Sequence, residues 1–454
     1  MRIENKKQGV DPLLKLQDII RSESKKSRFL RRHRKAIKKR LVAYAKKHRL
    51  FSDMFHSLMN ITRRLRFWYR TLPLETADKL IFFESFKGRS YACNPRAIFE
   101  YLVERPEFQD YCFIWSFRNP KRFKYLEKKY PNTLVIRQYG KIYETALAMA
   151  KYWITNYRLL DHIIPGKNQV YVQCWHGTPL KRLGCDLEVS QNPVHTISEI
   201  KRKYRHDAQR FTYLLSPSPF ATEKFVSAWD LNSLGKEHAV IEQGYPRNDG
   251  LFHVDVEKMA KARQRIGLRE DDGRKIILYA PTWRDNQHQT GVGYVYDLAL
   301  DIGAMQAHLG EDYILLCRLH YLVANKINFD NYRGFAYDVS NFSDINTLYH
   351  LSDLLITDYS SVFFDYANLK KPMIFYMYDL EQYRDEIRGF YLDLRELPGK
   401  IVTREQDLVP TIVSVDHHNP INDRYEKFLD RFNPRDDGRA AQRVAQIIFD
   451  NDKG

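Results

Sequence analysis

Two histidines, far apart in the chain, end apolar runs beside cations. The first sits in Cys174-Trp175-His176-Gly177-Thr178-Pro179-Leu180-Lys181-Arg182, where a strand-like run meets a glycine turn and then two cations. The second closes Leu315-Leu316-Cys317-Arg318-Leu319-His320. An imidazole with its ordinary pKa near 6.5 can take a proton from an attacking hydroxyl or, when protonated, stabilise a phosphate oxygen. A lone histidine could equally be a satisfied buried ring. The repeated framing, a strand end with an arginine or lysine close by, argues for phosphate chemistry instead.

Three further segments carry groups of the same kind. In Ile356-Thr357-Asp358-Tyr359-Ser360-Ser361-Val362-Phe363-Phe364-Asp365 an apolar strand ends at Thr357 and a helix is predicted from about Ser361. Ser360, Ser361 and the first free backbone amides would face an anion such as a pyrophosphate, and Asp365, one turn in, could reach ribose hydroxyls. The plainer reading is helix capping by Ser360 or Ser361, with Asp365 favouring the helix dipole. Tyr279-Ala280-Pro281-Thr282-Trp283-Arg284-Asp285 offers Thr282 and Arg284 to a phosphate. Arg247 lies in Gly244-Tyr245-Pro246-Arg247-Asn248-Asp249-Gly250, a segment dense in turn formers and read as the hinge between domains. Glu84, at the first strand-to-helix connection, is placed with Lys181 and Arg182 on the acceptor side. The sequence has no P-loop, no GxGxxG after a strand, no HExxH and no GxSxG, and its cysteines have no zinc spacing.

These residues need a scaffold that brings strand ends together. From about residue 76, short apolar runs alternate with helical stretches, first at 80–84, 111–117, 134–137, 152–155, 170–175, 213–216 and 240–242. A second set follows at 276–280, 313–317, 335–339, 354–357 and 373–376. Such alternation predicts an α/β chain with two Rossmann-like domains, here 76–248 and 249–415, each a parallel sheet covered by helices. In open α/β sheets ligands collect at the carboxyl ends of strands, which would put His176 and His320 in one cleft between the domains. Residues 416–454 are expected to form helices packing back across both.

The net charge of +17 is confined to one end. Residues 1–70 hold 22 of the 73 Lys and Arg and 5 of the 56 Asp and Glu, leaving 51 of each sign in the rest. A nucleic-acid enzyme would spread its cations along the working groove, so no nucleic-acid partner is expected. Apolar residues recur at three- and four-residue spacings through this arm, taken as 1–75, and Trp68 and Tyr69 lie near its end. A basic amphipathic helix of this kind is suited to an anionic membrane surface, each cation near the surface adding about 1 kcal/mol. No stretch approaches the roughly 20 apolar residues of a spanning helix, and a peripheral position on the cytoplasmic face is expected. Five scattered cysteines are expected to be reduced thiols.

Taken in order, Trp175-His176-Gly177-Thr178-Pro179-Leu180-Lys181, Gly244-Tyr245-Pro246-Arg247-Asn248-Asp249, Ala280-Pro281-Thr282-Trp283-Arg284, Arg318-Leu319-His320 and Thr357-Asp358-Tyr359-Ser360-Ser361 resemble the CDP-glycerol glycerophosphotransferase family. The resemblance covers roughly residues 76 to 415. It implies a GT-B type fold, attachment to the inner face of the plasma membrane, and transfer of a polyol phosphate from CDP-glycerol or CDP-ribitol to a lipid-linked, teichoic-acid-type acceptor, without a required cofactor or metal. By the same resemblance His176 matches the catalytic base, and His320 with Arg318 the donor-phosphate contacts. Ser360 and Ser361 match the helix terminus at the pyrophosphate, Asp365 a ribose contact, and Arg247, Thr282 and Arg284 further donor contacts. A GT-B glycosyltransferase using a nucleotide sugar stays open as the alternative, as do homo-oligomerisation and the choice of polyol.

Overall fold

The computed structural model describes residues 49–189, 196–282, 288–289, 293–294, 298–319, 327–383, 389–416 and 421–450. Two parallel sheets organise them. The first contains β1 (Ala77–Glu84), β2 (Cys112–Phe117), β3 (Thr133–Arg137), β4 (Ala150–Thr155), β5 (Val170–Gln173), β6 (Tyr213–Ser216) and β7 (Val240–Glu242) in the order β3-β2-β1-β4-β5-β6-β7. The second contains β8 (Lys275–Tyr279), β9 (Tyr313–Cys317), β10 (Ala336–Asp338), β11 (Leu354–Thr357), β12 (Met373–Tyr376) and β13 (Lys400–Val402) in the order β10-β9-β8-β11-β12-β13. Central strands such as β9, buried at all five positions, are continuous apolar runs because helices cover both faces of a parallel sheet. This is the two-sheet α/β architecture expected of a GT-B type chain. Strand β13, which the apolar pattern did not reveal, extends the second sheet: it has only three residues, and only Val402 is buried. A short antiparallel pair, His288–Gln289 with Gly293–Tyr294, was also not foreseen.

By packing, the chain divides into two compact units. One ends at Tyr91 and adds Phe99–Cys174 and Arg210–Tyr213; the other comprises Ala92–Ile98, Trp175–Gln209 and the chain from Leu214 onward. The loop that begins at Trp175 and carries His176 therefore belongs with the sheet β8–β13. The Gly244–Gly250 segment, read as a hinge from its turn formers, lies wholly inside this second unit. It is a 3₁₀ helix, Pro246–Leu251, with Asn248 and Leu251 buried. The C-terminal helices pin it there. Both carboxylate oxygens of Asp249 accept from the first backbone amides of the helix Ala440–Asp450, Ala440 N at 2.9 Å and Ala441 N at 2.7 Å. Asp436, between that helix and Asp423–Phe432, accepts from Tyr245 N and Asn248 Nδ2.

In the first unit, α1 (Arg49–Thr71) is the described part of the basic arm, and residues 1–48 lie outside the described residues. Its buried side carries Phe67. Arg66 and Arg70 converge on Glu144 of α2 (Lys141–Met149), at 3.3 and 2.7 Å. Its other side exposes Leu58, Ile61, Leu65 and Trp68, spaced by three and four residues, and Leu72 is exposed just past its end. No described helix is long and apolar enough to cross a membrane.

Candidate active site

Strands β9, β8 and β11 are adjacent and parallel, with Cys317 and Ile356 each in register with Tyr279. Their carboxyl ends release three of the motifs at one edge: Arg318-Leu319, Ala280-Pro281-Thr282 and Asp358 to Ser361. Buried polar contacts fix these loops to one another. Thr282 N donates to Asp358 Oδ1 at 2.7 Å, and Thr357 Oγ1 donates to Ala280 O at 2.8 Å. Arg318 N donates to Tyr279 O at 2.8 Å. The Arg318 side chain, expected on a donor phosphate, sends Nη1 to the carbonyls of Phe342 (2.7 Å) and Val339 (3.4 Å). Burial lowers its pKa, and these carbonyls stabilise the charge. His320 and Arg284 lie outside the described residues.

The glycine turn after His176 reaches the same edge. A Cβ placed on Gly177 would lie 2.5 Å from Ser361 Oγ and 3.1 Å from Ser361 Cβ. Only glycine permits the backbone to approach this closely. Ser361 stands at the head of the six-residue helix α3 (Val362–Ala367) but makes no side-chain capping bond, so the capping explanation of this serine does not hold. Ser360 and Ser361 are half-buried, as is His176. Trp175 adopts φ 46°, the left-handed region, a strain of about 1–3 kcal/mol for such a residue. An aromatic cluster holds it there. Its ring meets Trp229 edge-on at 4.8 Å and Tyr204 at 6.1 Å, and the His176 ring lies 4.2 Å away. Further along the loop, Lys181 Nζ donates to Tyr383 Oη at 3.0 Å, and Arg182 pairs with Glu188 at 2.6 Å.

Arg247 and Asp365 form a buried ion pair at 2.8 Å, with side chains only 11% and 8% exposed. Asp365, read as a ribose contact, therefore has its Oδ1 on Arg247. Burial opposes the charge on Arg247, but Asp365 holds its pKa well above the ordinary value. The guanidinium also lies 4.7 Å over the ring of buried Tyr245, and its Nη1 reaches Cys93 Sγ at 3.5 Å. The Arg247 backbone is clamped as well: its N donates to Asn94 Oδ1 at 3.1 Å and its O accepts from Asn346 Nδ2 at 2.6 Å. Cys93, Asp358 and Asp436 had not been singled out as site residues by sequence reasoning. Asp358 lay inside a quoted motif. Asp436 is 191 residues from Tyr245 and carries no local signal.

Glu84 belongs to the first unit. It is fully buried at the end of β1, where Ser116 Oγ and Gln138 Nε2 each donate to it at 2.9 Å. Burial pushes its pKa up to about 7, against the pull of these hydrogen bonds.

Comparison with known proteins decides the family. The profile described as "CDP-Glycerol:Poly(glycerophosphate) glycerophosphotransferase" matches residues 66–450. The chain belongs to this family. It is 41% identical over 376 residues to the teichoic acid poly(glycerol phosphate) polymerase of Bacillus spizizenii, covering 82% of this chain and 92% of that one. It is 39% identical over 426 residues to the polymerase of the same name from Bacillus subtilis, covering 91% of this chain and 54% of that longer one. A solved structure of the wall teichoic acid polymerase TagF with CDPG matches with a TM-score of 0.76 at 34% identity, covering 89% of this chain and 98% of that chain.

Proposed function

We propose that this member of the glycerophosphotransferase family moves glycerol phosphate from CDP-glycerol to a hydroxyl of a lipid-linked, teichoic-acid-type acceptor, with His176 as the general base. It is an enzyme, a transferase of teichoic acid biosynthesis whose donor is a CDP-polyol. His176 takes the proton of the acceptor hydroxyl. The hydroxyl oxygen then attacks the β-phosphorus in line, the bond to the bridging oxygen breaks, and CMP leaves with the electron pair. Phosphoryl transfer asks the protein mainly for positioning and charge stabilisation.

The observation that carries this reading is the approach of Gly177 to Ser361. It sets the residue after the proposed base against the serine pair proposed for the donor pyrophosphate. Ser360, Ser361 and Thr282 face the donor in this scheme, with His320, Arg318 and Arg284 completing the phosphate contacts. Arg247 and Asp365 act as a pair that holds the base of α3 in place, rather than Asp365 binding ribose alone. Glu84, Lys181 and Arg182 stay assigned to the acceptor side. Glycerol is preferred to ribitol because the family description and both relatives named above concern glycerol phosphate. The exposed stripe and cations of α1 suit a peripheral position on an anionic membrane, where a lipid-linked acceptor resides.

The test is nucleotide release by the full-length chain with CDP-glycerol, CDP-ribitol or UDP-sugars, in the presence of a lipid-linked acceptor analogue. Acceptor-dependent CMP from CDP-glycerol is the expected result. UDP release from a sugar donor, with no CMP, would refute phosphotransfer.

A further inference from the structure

Between α1 and the body of the first unit lies a cavity of about 310 Å³ that the reaction does not use. Its apolar walls come from Phe67, Trp68 and Leu74 on one side and Ile164 and Pro165 on the other. That volume is at the small end for a ligand site, enough for part of a chain rather than a whole lipid. His162 also lines it. Burial depresses the pKa of this imidazole, against the pull of Glu144.

Two features connect the cavity to a lipid. Trp68 lines it and is also 58% exposed, in the stripe with Leu58, Ile61, Leu65 and Leu72. An apolar path therefore runs from the outer face of α1 into the cavity. The second feature is charge. Arg66 and Arg70 are matched by Glu144, whereas Arg64, the cation among the lining residues, is exposed at the cavity mouth. An apolar chain and an anionic head belong together in a phosphorylated lipid, and a guanidinium is well suited to a phosphate.

We propose that this cavity takes the end of the chain of a phosphate-headed lipid, with the phosphate at Arg64. The inference rests on the reading of α1 as a membrane-surface helix and goes beyond it: the helix admits one lipid chain as well as adhering to many. The chain is that of an isoprenoid phosphate or of an acyl phospholipid, and both present the same chemistry to the site.

The experiment uses the full-length protein with two soluble, photoreactive probes below their micelle concentrations, a farnesyl phosphate and a dodecyl phosphate. Crosslinked positions are mapped by mass spectrometry. Ala148→Phe fills the cavity from the body and Thr71→Phe fills it from the helix, so a folding defect in one variant leaves the other informative. At least one probe should label residues 64–76 or 162–169. Each folded variant should lower that labelling about tenfold, with binding to phosphatidylglycerol vesicles changed less than about twofold. Labelling by farnesyl phosphate alone identifies an isoprenoid, and labelling by dodecyl phosphate alone identifies an acyl lipid. Absence of labelling at these residues, or labelling that both folded variants retain, overturns the proposal. Loss of vesicle binding is read separately, through Ile61→Ser with Leu65→Ser. If that pair left vesicle binding intact while the labelling stood, the membrane-surface reading would fail and the cavity would remain.

Discussion

The wall around Ser361 and the helix α1 treat charge in opposite ways. Near Ser361, Arg247 and Asp365 are buried and paired, and Asp358 is spent on a backbone amide. On α1 the matched cations Arg66 and Arg70 face Glu144, while Leu58, Ile61, Leu65 and Trp68 face outward. In the first region these charged groups are engaged internally, Asp365 by Arg247 and Asp358 by Thr282 N, so that loops are held together. In the second, apolar surface is displayed, which costs solubility and has value only where something covers it. The difference separates chemistry from address: damage to the first should reach turnover and folding, and damage to the second should reach location.

The largest expected effect is at the buried pair. Asp365→Asn leaves the Arg247 charge uncompensated and should cost about 3–5 kcal/mol of stability, read by urea unfolding. A loss below about 1 kcal/mol would mean that water already screens the pair. Glu84 offers a second interior charge and a pH dependence. Its pKa rises to about 7 in the folded chain from an ordinary 4.5. The folded state thus holds this proton more tightly than the unfolded chain, so stability falls as pH rises from about 4.5 through 7. Over that window the fall should approach about 3 kcal/mol, and Glu84→Gln should flatten it. An unchanged slope in the variant would assign the dependence to other groups.

Gly177→Ala is the sharper probe of local geometry. The added methyl meets Ser361 Oγ, an overpacking worth about 1–3 kcal/mol, and Ser361→Gly should relieve part of it in the double variant. Additive effects of the two substitutions would deny the contact. The smallest effect concerns α1. Ile61→Ser with Leu65→Ser should weaken vesicle binding about tenfold while turnover on a soluble acceptor analogue stays within about twofold. Equal loss of both would erase the division between chemistry and address.

Much of this was legible in the sequence because parallel strands covered on both faces are near-continuous apolar runs. Tyr213–Ser216, Val240–Glu242, Tyr313–Cys317, Leu354–Thr357 and Met373–Tyr376 stand where the runs place them. The helix Val256–Ile266 is bounded by residues whose types mark its ends, Asp255 as N-cap and Gly267 in the left-handed region at its C-terminus. Partnership across long separations was not legible. Nothing local in Arg247 announces Asp365, 118 residues away, and nothing in Gly177 announces Ser361. Ser361 was weighed as a cap on local grounds, and only the tertiary approach of Gly177 shows what crowds it. Similarly, turn formers at Gly244–Gly250 look the same whether a segment swings or is fixed. Asp249, which accepts from Ala440 N, and Asp436, which accepts from Asn248 Nδ2, anchor this one across long stretches of sequence.

The most direct test compares wild type with His176→Ala in steady-state turnover of CDP-glycerol, with donor binding measured by calorimetry on the same preparations. A base acts on the acceptor hydroxyl, so turnover should fall by about 10² to 10⁴ while the Kd for CDP-glycerol stays within about twofold. Full turnover in His176→Ala would contradict the assignment of the base. A fall explained wholly by weakened donor binding would move His176 to the donor side and leave the acceptor proton without a recipient.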